Sequence, residues 1–146
     1  MLKVDIEATR AAYTSLPLVG SDASCTCAYC RNFGEAHQFL PASFLKICSD
    51  LGIDPIRPIE VYEIIENEDG THFYGGWYHL VGNLVKSDDT MLQIDPETKH
   101  VSVDEPHKGF SIKFHTNVDM VPDDFPKPVL QMEISCNIPW VLSEQP

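Results

Sequence analysis

Beyond Pro58, apolar residues recur at every second position of the chain. The pattern is cleanest over residues 110–120 and 129–140, where apolar side chains alternate with polar ones. A period of two is that of a β-strand with one face in the core and the other in water. Because the period returns in segment after segment, separated by turn residues, the C-terminal two thirds of the chain is predicted to form a sheet of about six strands.

Two hairpins are predicted where strand patterns flank short runs of turn residues. Their strands cover residues 59–66 and 71–85 around the turn 67–70, and residues 91–94 and 100–103 around the turn 95–98. The strand over 71–85 has apolar residues on both faces, which predicts a central strand with a helix on one side. Gly75 and Gly76 in its middle predict a bulge or a close approach of another backbone.

The first third of the chain has helical spacing instead. Residues 5–16 repeat apolar side chains every three or four positions, with Asp5 as a cap and Pro17 as a stop. Residues 40–51 do the same, with Pro41 in the first turn and Gly52 just past the end. The two predicted helices are joined by a long segment, residues 18–36, whose Gly, Ser and Asp content predicts a loop.

This order of elements predicts an α+β fold. Two short N-terminal helices would pack on one face of a mostly antiparallel, meandering sheet. A length of 146 residues suits a single domain. We assign residues 1–57 to its helical part, which carries a cysteine loop, and residues 58–146 to its sheet.

Acidic side chains outnumber basic ones by 22 to 10, for a net charge of −12. This charge argues against nucleic acid or an anionic membrane as a partner, because both would repel it. The excess is uneven, since residues 51–146 hold 17 acidic and 6 basic side chains. The strand region is therefore predicted to suit a partner protein with a basic surface.

The first residues, Met1–Glu7, contain two carboxylates where a secretory signal needs basic residues and then an apolar run. No stretch of the sequence approaches 18 uncharged apolar residues, so no membrane span is predicted. Five cysteines, an odd number without an export signal, are typical of a reducing compartment. The sequence thus predicts a soluble, cytoplasmic protein.

Three of the five cysteines, Cys25, Cys27 and Cys30, lie within six residues. Thiolates at such short spacing can converge on one cation, and zinc accepts the resulting geometry because its filled d shell imposes no direction. A structural zinc site takes four protein ligands, so a fourth must come from elsewhere. His37 is the nearest candidate and His79, in the central strand, is the next.

The distant Cys48 and Cys136 fall on apolar faces of a helix and a strand, which favours core packing for both. For the cluster itself, buried thiols packed between the helices are an equally weighted alternative to zinc. Redox chemistry is favoured least, because no strand precedes Cys27 and Gly34 interrupts any following helix. Arg31-Asn32-Phe33, which follows, suits two hydrogen-bonding residues that tie the loop down and an aromatic that enters the core.

Five segments together give the chain a resemblance to a group of small uncharacterised bacterial proteins. The segments are Thr9–Tyr13, the run from Cys25 through Cys27 and Cys30 to Arg31-Asn32-Phe33, Leu51–Pro55, Tyr78–Gly82 and Pro139–Leu142. The resemblance covers most of the chain. It implies a compact fold and carries no activity.

Two functions are compatible with these features. The first is a non-enzymatic protein whose cysteine segment binds structural zinc and orders the connection between the helices. The second is an immunity-type inhibitor, or another interaction protein, that binds a basic partner through the acidic sheet region. An enzyme is favoured least, because nothing in the sequence pairs a histidine with a thiol, and no catalytic residue is assigned.

Overall fold

Helices and strands segregate along the chain, and the predicted α+β class is confirmed. The computed structural model describes residues 2–84, 94–95, 100–105 and 110–146. Its helices are α1 (Ile6–Tyr13), α2 (Ala28–Ala36), a short 3-10 helix (His37–Phe39) and α3 (Ala42–Leu51). Its strands are β1 (Leu2–Val4), β2 (Glu60–Glu66), β3 (Thr71–Leu84), β4 (Ile94–Asp95), β5 (His100–Glu105), β6 (Phe110–His115) and β7 (Val129–Pro139).

The sheet is organised around β3. Along one edge β3 pairs with β7, from Thr71 opposite Pro139 to Val81 opposite Val129. Its other edge is shared, because β2 pairs with the first half of β3 and β1 with its last residues. All of these pairings are antiparallel, and the strand over 71–84 has the central place predicted for it.

The sheet has seven strands in the described part of the chain, in the order β1-β3-β7-β6-β5-β4 with β2 also on β3. The predicted meander holds from β4 to β7, but β3 neighbours β7 rather than β4. The prediction of about six strands missed β1, since three residues are too few to display a period. The helical part predicted for residues 1–57 therefore also contributes a strand to the sheet.

The core lies between the helices and the face of β3 that carries Tyr74 and Tyr78. Both tyrosines are fully buried. The ring of Phe33 in α2 packs 5.9 Å from that of Tyr74, and the ring of Phe44 in α3 packs 6.5 Å from that of Tyr78. In α1, the Tyr13 hydroxyl donates to the carbonyl of His79 at 2.7 Å. The helices thus pack on one face of the sheet, as predicted.

The prediction of two N-terminal helices was wrong, because residues 28–36 of the predicted loop form α2. Glycine in a helix interior costs about 1 kcal/mol relative to alanine, which is why Gly34 argued against a helix. Its packing offsets that cost. A Cβ at position 34 would lie 3.3 Å from Cγ1 of Val19, so the glycine lets α2 lie close against the preceding segment.

Asp5 and Gly52 have the capping roles predicted for them, whereas α1 ends at Tyr13, before the predicted stop at Pro17, and Pro41 is the N-cap of α3 rather than part of its first turn. The Asp5 side chain caps α1 by accepting from the Ala8 N–H at 3.0 Å, and Gly52 follows α3 in the left-handed conformation. The predicted hairpin turn over 67–70 connects β2 to β3. The second predicted hairpin is described only in part: Ile94 pairs with Val101, whereas residues 91–93 and 96–99 lie outside the described residues.

Candidate metal centre

The three thiols of the cysteine segment come together at the start of α2. Cys27 is the N-cap residue of the helix, Cys30 lies in its first turn, and Cys25 precedes Cys27 by two residues. Their three sulfur atoms all lie within 4.8 Å of one another. Cys25 and Cys27 are exposed and Cys30 is buried. The triad is thus positioned to hold a metal ion at the protein surface.

Cys27 takes the place that Ser, Thr or Asp usually occupies at a helix N-terminus. Its sulfur accepts from the Cys30 backbone N–H at 3.5 Å, and its carbonyl accepts from the Arg31 N–H at 3.0 Å. The Arg31 Nε also donates to the Thr26 carbonyl at 2.9 Å. Local hydrogen bonds therefore fold the cysteine segment onto the first turn of α2.

Asn32 anchors α2 to the far end of the sheet and is completely buried. Its Nδ2 donates to the carbonyl of Pro139 at 3.2 Å, and its Oδ1 accepts from the Val141 N–H at 2.8 Å. Phe33 beside it is also fully buried, and Arg31 forms an ion pair with Glu144. The roles predicted for these three residues, two that tie the segment down and one that enters the core, are confirmed.

The surroundings of Cys27 and Cys30 shift the pKa values of their thiols in opposite directions. Partial burial acts to raise the pKa of Cys27, but hydrogen bonds from the backbone N–H of Cys30 and from the Cys25 and Cys30 thiols outweigh it, and the pKa is lowered. For Cys30, burial raises the pKa well above the ordinary value, and the neighbouring Cys27 and Cys25 raise it further. Between these two thiols, Cys27 is therefore the one that ionises first.

Neither predicted fourth ligand joins this group in the described residues. His37 lies at the end of α2, where its Nδ1 is 2.7 Å from the Gly34 carbonyl. His79 is buried in β3, with Nε2 3.3 Å from Oε1 of Gln131, and burial lowers the pKa of its ring. The identity of the fourth ligand, His37 or His79, stays a prediction.

The two remaining cysteines belong to the core, as predicted. Cys48 in α3 and Cys136 in β7 are buried. Burial raises the pKa of each thiol to about 12, with a contribution from the charge of Asp54 at Cys48. Both thiols are therefore neutral at physiological pH and are matched controls for substitutions in the triad.

An aromatic cluster beside the triad was missed by the sequence reasoning. The ring of Tyr29, the residue before Cys30, packs 5.8 Å from Trp140. The buried His72 ring lies 4.9 Å from Trp140, and its Nδ1 is 3.4 Å from a carboxylate oxygen of Glu63. Trp140 follows β7 directly, and its Nε1 donates to the Glu144 carbonyl at 2.8 Å. The segment after β7 therefore packs against α2, which no local pattern in either segment indicates.

The aromatic stretch from Phe73 to His79 supplies the core of β3, and Tyr74, Tyr78 and His79 are fully buried.

In the ranges that the structure describes, no helix has the length and apolar character needed to cross a membrane. Comparison of the chain with protein-family models, with curated proteins and with solved structures finds no match. The thiol triad is therefore the feature on which a functional assignment rests.

Proposed function

We propose that this chain is a non-enzymatic zinc-binding protein that holds one ion through the thiolates of Cys25, Cys27 and Cys30. The observation that carries the proposal is the convergence of three sulfur atoms within 4.8 Å of one another. Around a tetrahedral zinc with Zn–S bonds of about 2.3 Å, sulfur atoms lie about 3.8 Å apart. Small rotations of side chains suffice to reach that spacing, because two of the cysteines are exposed.

Zinc suits the triad because it binds thiolates, which are soft ligands. Cations such as Mg²⁺ and Ca²⁺ prefer carboxylate oxygens instead. Cys27 already accepts a hydrogen bond that favours its ionised form. A bound cation would reverse the effect of the neighbouring thiols on Cys30, since it stabilises all three negative charges. His37 or His79, or a water molecule, would complete the coordination sphere.

The metal would act as a structural link. Cys30 belongs to a helix that Asn32 and Phe33 fix to the sheet, whereas Cys25 and Cys27 belong to the segment that precedes this helix. An ion bound to all three would tie that segment to the anchored helix and so order the connection from α1 to α2. Its binding free energy would add to folding stability, because the ligands are not assembled in the unfolded chain.

Native mass spectrometry tests the metal site directly. Protein purified without added metal is expected to carry one zinc ion per chain. Cys27→Ser removes a ligand but keeps a good N-cap side chain, and we expect it to lower zinc affinity by a factor of about 10² to 10³, roughly a quarter of a structural site's binding free energy.

The matched controls are Cys48→Ala and Cys136→Ala, which are expected to keep one zinc per folded chain. Thiol titration of the untreated wild-type protein is the measurement that can contradict the proposal. If the chain carries no metal and the exposed thiols of Cys25 and Cys27 titrate freely in the folded state, the proposal is wrong.

We propose binding of a basic partner protein as a second candidate role. It is favoured by exposed carboxylates in two turns of the sheet region, at Glu66, Glu68 and Asp69 around the β2–β3 hairpin and at Asp119, Asp123 and Asp124 between β6 and β7. Complementary charge accelerates the encounter with a basic surface and makes it sensitive to salt.

For a partner isolated by affinity capture, the association rate constant is expected to fall steeply with added salt. The double variant Glu66→Lys, Glu68→Lys is expected to slow association about tenfold or more at low salt. Glu7→Lys on α1 makes the same type of charge change away from these turns and should have a much smaller effect. Binding that ignores ionic strength would exclude this role.

A further inference from the structure

The cysteines of the triad differ in their exposure to solvent, and metal binding does not require such a difference. Cys27 is exposed at the N-cap of α2, and Cys30 is buried within the first turn, with only 5% of its surface accessible. The Cys30 N–H points at the Cys27 sulfur at 3.5 Å, so the two residues share one helical turn. One thiol is thus open to an external molecule, and the second lies behind it.

The sequence argued against redox chemistry because no strand was predicted directly before Cys27 and no helix directly after it. The structure supplies that helix, with nine residues in α2. A sulfur at a helix N-terminus gains from the backbone N–H donors and from the positive end of the helix dipole, both of which stabilise a thiolate. The fold therefore supplies the helix after Cys27, although no strand directly precedes this residue.

We propose that the metal-free chain exchanges thiols with small disulfides, with Cys27 as the attacking residue and Cys30 as the resolving residue. The substrate class is a low-molecular-weight disulfide, such as oxidised glutathione, that can reach an exposed sulfur. The inference concerns the same thiols as the proposed zinc site but does not depend on zinc being bound. A bound metal would block the exchange, because it occupies the attacking sulfur.

The exchange takes place in two steps. The Cys27 thiolate attacks one sulfur of the external disulfide, whose S–S bond breaks as a mixed disulfide with Cys27 forms and one external thiolate leaves. Cys30 then gives up its proton and attacks the Cys27 sulfur, which breaks the mixed disulfide and releases the second external thiol. Two protein thiols are oxidised to one disulfide, and one external disulfide is reduced to two thiols.

Burial assigns the two roles. A molecule in solution reaches Cys27 but not Cys30, so the first attack falls to Cys27. Cys30 already lies against Cys27, with the three sulfur atoms within 4.8 Å, so the second attack needs only side-chain rotation toward the S–S bond length of about 2.05 Å. Cys25 is exposed and is not required for either step.

The test uses the full chain, stripped of metal with a chelator, reduced, and then incubated with oxidised glutathione. After acid quenching, peptide mapping of the wild type is expected to find a Cys27–Cys30 disulfide and two glutathione thiols released per chain. The double variant Cys25→Ser, Cys30→Ser should stop at the mixed disulfide, with one glutathionyl group on Cys27, because no second thiol of the triad remains to attack it. Cys48→Ala and Cys136→Ala, which change thiols buried in the core, should close the Cys27–Cys30 disulfide as the wild type does.

Cys27→Ser keeps the helix cap but lacks the attacking sulfur, so we expect this variant to form no disulfide within the chain. The proposal is overturned if the double variant carries no glutathione on Cys27, or if the wild type accumulates a mixed disulfide that never closes. It is equally overturned if Cys27→Ser forms a Cys25–Cys30 disulfide at the wild-type rate. Because metal content is measured on the untreated protein, absence of zinc with intact exchange rejects only the proposed function, and zinc without exchange rejects only this inference.

Discussion

Replacing Asn32 with leucine is expected to lower the free energy of unfolding by about 3 kcal/mol. Leucine has the same number and branching of side-chain heavy atoms, but it cannot replace the hydrogen bonds to the Pro139 carbonyl and from the Val141 N–H. Asn32 is completely buried and these two hydrogen bonds are partly buried, so water replaces them only in part when the amide is removed. Each unsatisfied buried group costs about 1–3 kcal/mol.

Urea denaturation measures this effect as a lower midpoint at an unchanged slope. The matched control is Asn117→Leu, at an exposed position between β6 and β7, where a change within about 0.5 kcal/mol is expected. If both variants unfold at the same urea concentration, Asn32 does not anchor α2 in the way described. The Asn32→Leu variant should also bind zinc more weakly than the wild type, since the helix that carries Cys30 loses its attachment to the sheet.

Substitution of Gly76 by alanine is expected to destabilise the chain by about 3 kcal/mol. A Cβ at this position would lie 2.5 Å from the Glu60 carbonyl oxygen and 2.9 Å from Cγ1 of Val61. Gly76 stands opposite Val61 in the pairing of β2 with β3. The methyl group can therefore be accommodated only if β2 moves away from β3, which weakens the ladder between the two strands.

Thermal unfolding compares Gly76→Ala with Gly70→Ala in the hairpin turn. A Cβ at position 70 would meet nothing within 4 Å, so that variant suffers only the strain of a left-handed backbone at φ +82°, about 1 kcal/mol. We expect the Gly76 variant to melt at a clearly lower temperature than the Gly70 variant. Equal melting temperatures would show that β2 yields without cost at Gly76.

The site illustrates where sequence reasoning succeeded and where it did not. The spacing of Cys25, Cys27 and Cys30 is local, and it correctly indicated a group of thiols that can hold a metal. The helix that follows Cys27 was missed, because Gly34 lowers helix propensity and its compensating contact with Val19 comes from another part of the chain. A weak local preference was overridden by packing, and this changed the chemistry assigned to the thiols.

In the central strand, too, the sequence predicted a local feature whose partner only the fold reveals. The pair Gly75-Gly76 predicted a bulge or a close approach, and Gly76 does lie against the backbone of Glu60. The register irregularity itself falls in β2, between Glu63 and Ile65. The sequence shows that two adjacent residues of the strand have no side chain. It does not show that β2 is the strand that lies in the space they leave.

By itself, the sequence determined the alternation of the strands β6 and β7, the caps of α1 and α3, and the placement of Cys48 and Cys136 in the core. These depend on period and on residues at most four positions apart, which a linear pattern displays. The strand predicted over residues 110–120 was too long, since β6 ends at His115 and leaves Val118 and Met120 exposed. Only the tertiary structure decided that α2 is a helix, that β3 lies beside β7, and that Asn32 and Tyr29 meet the segment after β7. Those contacts join residues as many as 111 positions apart, and their free energy arises from burial and hydrogen bonding between segments that carry no local sign of each other.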